Sequence, residues 1–151
     1  MRPYRGIPID GKDFVYGDLV HSSSGRTAIL PNIEINPTVT WKKLVLQPVI
    51  EVIPETVGQS IGLKDKNKTE IYKGDCFKTS DKHGYSSNCL AEVLFVDGAF
   101  VIQLHRNDLM EIAPELILDF KDLFWDSFEV IGNIHSNPEL LERKENEANK
   151  V

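Results

Sequence analysis

An Asp-Gly pair set between two apolar-rich runs constrains this chain more than any other feature. Residues 90–96 and 99–105 are joined by Asp97 and Gly98 alone. Asp-Gly is a preferred pair for the type I′ turn of a two-residue β-hairpin, in which both loop residues take positive φ. Such a loop fixes the register, with Val96 facing Ala99, Phe95 facing Phe100, Val93 facing Ile102 and Ala91 facing Leu104. One face then holds Ala91, Val93, Phe95, Phe100, Ile102 and Leu104, all apolar. The other sets Glu92 beside Gln103 and Leu90 beside His105, a face for solvent or a partner. A one-residue slip would mix the two sets, so burial holds the register. With both rings in a core, Phe95→Ala or Phe100→Ala costs about 3 to 5 kcal/mol.

A second signal is a phrase that occurs twice. F-V-Y-G-D-L at 14–19 and E-I-Y-K-G-D-C-F at 70–77 each carry tyrosine, then Gly-Asp and an apolar residue. Tyr16, Gly17 and Asp18 answer to Tyr72, Gly74 and Asp75, with one extra residue in the second copy. Such wording suits a strand broken by a glycine kink or bulge. The two aspartates invite a functional reading as paired carboxylates of one pocket. The structural reading, in which each accepts backbone N–H bonds at a strand bend, is preferred.

The remainder reads as a mainly β protein of two small packed subdomains. Residues 1–54 form an N-terminal β subdomain, with strands expected over 14–20, 26–30 and 39–46 and a short one between Pro48 and Pro54. Residues 55–69 read as an extended connector ending in a polar turn. Residues 70–136 form a β-barrel-like subdomain, SH3-like or a related partly open barrel, with strands over 71–78 and 127–134. The stretch 106–126 offers short helical pieces at best, because Pro114 blocks a longer helix. Asn137 and Pro138 start a C-terminal helix, with Asn137 as its cap, that runs into a solvated tail through 151.

Composition sets limits on function. The 151 residues carry a net charge of −6, with a balance of +1 over 1–107 and −7 over 108–151. An acidic C-terminal third disfavours wholesale wrapping of nucleic acid, whose affinity rests on neutralised phosphates. No apolar run reaches the roughly 20 residues of a membrane helix, and no secretory leader is evident, so a cytoplasmic, membrane-free home is expected. His21, His83, His105 and His135 are scattered, and Cys76 and Cys89 are no metal-binding pair. No metal and no cofactor are therefore expected, and the cysteines read as buried thiols. The S-S-S-G loop at 22–25 and the H-G-Y-S-S segment at 83–87 supply hydroxyls but no nucleophile–base setting, so no catalytic residue is assigned.

The segments G-L-K-D-K-N-K-T-E-I-Y-K-G-D at 62–75 and F-E-V-I-G-N-I-H-S-N-P-E-L-L at 128–141 resemble the YopX family. T-V-G-Q at 56–59 and the early F-V-Y-G-D-L fit the same pattern. Two departures stand out: Ile61 stands where the family has threonine, and Lys68 where it has the glycine of an Asn-Gly turn. The second predicts a longer or differently shaped turn. The resemblance implies a mainly β protein of phages or integrated mobile elements, and it implies no chemistry.

Two functional classes follow. The first is a non-enzymatic module that binds a host or phage protein, with Asp122, Phe124, Trp125 and Asp126 as an acidic, aromatic docking segment. The second is a single-stranded nucleic-acid binder using Lys64, Lys66, Lys68, Tyr72 and Tyr85, with the tyrosines as stacking surfaces. A hydrolase with an unidentified site is a distant third. Self-association into a homo-oligomer stays open.

Overall fold

The computed structural model of the chain describes residues 3–31, 48–78, 90–105, 116–119 and 128–142. They belong to two compact units, Met1–Ser60 and Ile61–Val151. Both are built from antiparallel strands, so the mainly β expectation holds.

In the first unit β1 (Tyr4–Gly6), β2 (Val15–His21), β3 (Thr27–Pro31) and β4 (Ile50–Glu51) pair in chain order. The expected hairpin over 14–30 is β2–β3, in register from Gly17↔Pro31 to His21↔Thr27. The segment after β4 then returns to the segment after β1. Pro8 bridges Val52, Ile9 N donates to Glu51 O at 3.2 Å, and Ile53 N donates to Ile7 O at 2.9 Å. These bonds close the four strands into a ring, and Ile7, Ala28, Ile29 and Val52 of this unit are all buried. A 3-10 turn at Pro54–Thr56 locks the closure. The buried Thr56 hydroxyl accepts from Ile7 N at 2.9 Å and donates to Ile53 O at 2.7 Å. The expected strand over 39–46 lies outside the described residues.

The stretch read as a connector contains strand β5 (Gly58–Lys64). Its first residues pair with β1, Gly58 opposite Arg5 and Gln59 opposite Tyr4. Its later residues lie beside β6 (Glu70–Tyr72). Three of the seven residues, Gly58, Gly62 and Lys64, have weak strand preference, so the pairing of neighbours overrides local propensity.

The second unit holds a five-stranded sheet in the order β10-β9-β8-β7-β11. Its strands are β7 (Asp75–Lys78), β8 (Leu90–Val96), β9 (Ala99–His105), β10 (Leu116–Asp119) and β11 (Val130–Asn133). The β8–β9 hairpin has the predicted register at every pair, and its loop residues sit at φ 51° (Asp97) and 83° (Gly98). The core consists of Ile71, Phe77, Ala91, Val93, Ile102 and Phe128, with the Phe77 and Phe128 rings 5.8 Å apart. Ile61 packs against this cluster.

Five sequence expectations are corrected here. The strand over 71–78 is two strands, because Gly74 takes φ +85° and the chain turns at Lys73–Gly74. Within 106–126, Leu116–Asp119 is a strand rather than helix, drawn into the sheet by pairing with Val101–Leu104 of β9. Glu92, placed on the solvent or partner face, is buried. Asn137 does not cap with its side chain; its Oδ1 accepts from Asn133 N at 3.3 Å, and the described helical turn, α1, is Glu139–Glu142. The rest of the expected helix and tail, 143–151, lies outside the described residues. Phe95, expected in the core, is 49% exposed near the hairpin tip.

The Asn67-Lys68 turn also departs from expectation, in the opposite sense. Lys68 adopts φ 65°, the conformation glycine would take, so the turn keeps a left-handed shape. A non-glycine residue there costs about 1 to 2 kcal/mol, partly offset because glycine loses about 0.5 to 1 kcal/mol more on folding. Lys68→Gly is therefore expected to raise stability by about 0.5 to 1 kcal/mol. The check is a urea midpoint that rises at constant m-value; a lower midpoint would contradict the strained conformation.

Candidate interaction surface

The two copies of the repeated phrase perform different physical tasks. Gly17 lies between Tyr4 of β1 and Pro31 of β3, and a Cβ there would stand 1.9 Å from the Leu30 carbonyl oxygen. Glycine is required because two backbones approach closely. Asp18 is exposed, and Tyr16 is half-buried. In the second copy Asp75 is buried, and its Oδ2 accepts from Tyr72 N at 2.8 Å. Its Oδ1 accepts from the Asn133 amide at 3.4 Å, while Asn133 Oδ1 accepts from His135 N at 2.9 Å. Gly74 N donates to Val93 O at 2.8 Å, and Gly74 O accepts from Ile134 N at 3.0 Å. Asp75 thus accepts backbone N–H as the scaffold reading expects, whereas Asp18 is exposed and among the described residues no backbone N–H donates to its side chain.

The lysine-bearing turn is organised by a residue that the sequence did not single out. Asp65 is 5% exposed. Its Oδ1 accepts from Asn67 N and Thr69 N, each at 2.8 Å, and its Oδ2 accepts from Val130 N at 3.1 Å. Beside it Lys66 N donates to Phe128 O at 2.9 Å, so the turn is stitched along the outer edge of β11. D-x-N-x-T is a readable turn signal, but the bond to Val130 spans 65 residues and leaves no local trace.

Lys64, Lys66 and Lys68 are exposed, and Lys66 forms an ion pair with Glu129. That ammonium, through its hydrogen bond and its charge, lowers the Glu129 carboxyl below the usual carboxylate range. What little the exposed pair contributes is present above the ordinary Glu pKa and fades as pH falls through the lowered one. Tyr72 is 2% exposed, with its hydroxyl donating to Glu70 Oε2 at 2.8 Å, so its ring offers no stacking surface. Tyr85 and the segment with Asp122, Phe124, Trp125 and Asp126 lie outside the described residues.

Cys76 is fully buried, its Sγ 4.0 Å from the Gly74 carbonyl oxygen; Cys89 lies outside the described residues. Among the described residues no group of three or more His, Cys, Asp or Glu is placed to hold a metal. None of the described helices is long and apolar enough to cross a membrane.

The second unit instead presents apolar side chains at its hairpin tip. Phe95 and Val96 are exposed, and Phe100 meets Phe95 edge-on with ring centroids 5.0 Å apart. In the first unit Ile9, Val49 and Ile53 are exposed. Ile9 opposes Glu51, so Val49 and Ile53, two residues to either side, fall on its face of the sheet by strand alternation. The acidic side chain between them, Glu51, pairs with Arg26 at 3.6 Å.

These features sit within a sequence pattern shared with other proteins. The model of the family described as YopX protein matches residues 4–142. The chain belongs to the YopX family. The crystal structure of protein EF1440 from Enterococcus faecalis has a similar fold. Its TM-score is 0.55 at 24% identity, over 93% of this chain and 98% of that one. A likeness at that identity speaks to fold alone. Calcium-dependent protein kinase 24 from Arabidopsis thaliana is 25% identical over 134 residues, 82% of this chain and 23% of the kinase. The chain therefore spans less than a quarter of that relative's length.

Proposed function

We propose that this YopX-family chain is a non-enzymatic protein-interaction module, made by a phage or mobile element and acting in the cytoplasm on a host or phage protein. One observation carries the reading. The buried carboxylates of Asp65 and Asp75 accept backbone N–H bonds, whereas Phe95 and Val96 stand exposed at a hairpin tip. Carboxylates held this way serve the scaffold, and clustered exposed apolar groups suit a binding surface. An SH3-like form for the second unit, and docking through Asp122, Phe124, Trp125 and Asp126, belong to the same proposal.

Single-strand nucleic-acid binding is the weaker reading, because Tyr72 is buried and Lys66 is paired with Glu129. The test compares affinity-tagged parent and Phe95→Ala in the native host. Because Phe95 is half-exposed, the variant should lose only about 0.5 to 1.5 kcal/mol of stability, the scale of an aromatic pair. It should nonetheless lose the proteins recovered with the parent. Equal recovery by both would remove the hairpin tip from the binding surface. Salt-sensitive binding of a single-stranded oligonucleotide, abolished by Lys64→Ala with Lys68→Ala, would favour the alternative.

A further inference from the structure

The chain contains two Asp-Gly pairs, Asp10-Gly11 and Asp97-Gly98, and the fold treats their backbone nitrogens differently. Both aspartates are exposed, and both glycines lack the side chain that would hinder attack on the preceding carboxyl. Gly11 N donates to Pro8 O at 3.1 Å, and a Cβ on Gly11 would stand 3.1 Å from the Pro8 ring. Gly98 lies beyond the last cross-strand pair, Val96↔Ala99, and has nothing within 4 Å of its ideal Cβ position. Among the described residues none accepts a hydrogen bond from Gly98 N.

We propose that Asp97 is a site of spontaneous isomerisation to isoaspartate, and that the fold protects Asp10 from the same reaction. Gly98 N gives its proton to solvent and attacks Cγ of the protonated Asp97 carboxyl. The new N–Cγ bond closes a five-membered succinimide, and the carboxyl hydroxyl leaves as water. One water then opens the ring. Cleavage of the N–Cγ bond restores aspartate, whereas cleavage at the α-carbonyl leaves the chain running through Cβ and Cγ. Water lost is water regained, so no reagent beyond solvent is needed. At Gly11 the nitrogen must first give up its bond to Pro8.

The consequence is local and specific. The isoaspartyl link adds one backbone atom to a loop whose two residues match the strand twist only in their positive-φ geometry. The added length loosens the Val96↔Ala99 pair and the neighbouring Phe95–Phe100 contact. Chemical ageing would therefore remodel the apolar hairpin tip, whatever that tip binds.

The test ages the intact chain at neutral pH and body temperature, with and without denaturing urea. Isoaspartate is read at each site by enzymatic methyl transfer from S-adenosylmethionine and by peptide mapping. In the native chain, isoaspartate at residue 97 should exceed that at residue 10 by about twofold to tenfold, the factor expected for releasing one hydrogen bond. In urea the two sites should react at similar rates, because the difference comes from the fold. Asp97→Asn, which suits the same turn, should convert amide to acid at residue 97 faster still. Equal or greater reaction at residue 10 in the native chain would overturn the proposal. So would a native chain unreactive at residue 97, or a preference for residue 97 that persisted in urea.

Discussion

Gly17→Ala is expected to destabilise the protein by more than about 4 kcal/mol, the diagnostic extreme for a single substitution. The added methyl carbon would stand 1.9 Å from Leu30 O, 2.6 Å from Leu30 C and 2.9 Å from Pro31 Cα. All three atoms belong to the backbone of a paired strand, so no side chain can rotate away. Relief requires β2 and β3 to separate along a register that runs from Gly17↔Pro31 to His21↔Thr27. Because β3 also pairs with β4, the disturbance reaches the bonds that close the ring. Against a typical stability of about 5 to 15 kcal/mol, such a loss leaves a large unfolded fraction. Thermal unfolding would show it, and amides of Val15–His21 should lose hydrogen-exchange protection first. A variant within about 1 kcal/mol of the parent would mean that the strands approach less closely than described.

Gly17 also shows where sequence reading reached its limit. Its pairing with the Gly74 phrase was legible, since both glycines precede an aspartate after a tyrosine. The kink read for both was right for Gly74, where the strand breaks, and the physical reason for Gly17 was not legible. Gly74 answers to a positive φ of its own backbone, a local property. Gly17 answers to a strand more than ten residues away, and no local pattern records that approach. The β8–β9 hairpin was legible for the converse reason: the two-residue Asp97-Gly98 loop between two apolar-rich runs is a local signal, and it fixes every pair. How far the core extends along the hairpin is not a local property. It covers Ala91, Val93 and Ile102 but leaves Phe95 half-exposed, and that residue thereby passes from core to candidate surface. Leu116–Asp119 was misread because three apolar residues before an aspartate carry too little period to separate strand from helix. The acidic, aromatic segment at 122–126 lies outside the described residues, so its reading rests on composition alone.

Replacing Asp65 should give the second large loss, and the form of replacement distinguishes its role. Its two oxygens accept three backbone N–H groups, from Asn67, Thr69 and Val130. Asp65→Ala leaves all three without that partner. Water can reach the N–H groups of the exposed Asn67 and Thr69, while Val130 is half-buried against the core. With about 1 to 3 kcal/mol for each buried donor left unpaired, a loss of about 2 to 4 kcal/mol is expected. Asp65→Asn is not conservative here. One end of an amide can still serve Asn67 and Thr69, but the other end then turns an NH₂ toward the Val130 N–H, donor against donor. About 1 to 3 kcal/mol should be lost even so. Asp75→Asn meets the same conflict, since both of its oxygens accept, whereas Asp18→Asn at an exposed position should be close to neutral. Urea denaturation of Asp65→Ala, Asp65→Asn, Asp75→Asn and Asp18→Asn resolves the order. If Asp65→Asn stayed within about 0.5 kcal/mol of the parent, the scale of an ordinary surface change, the carboxylate would not be the clamp that holds the lysine-bearing turn to β11. The same result would free that turn to be considered again as a place where a partner binds.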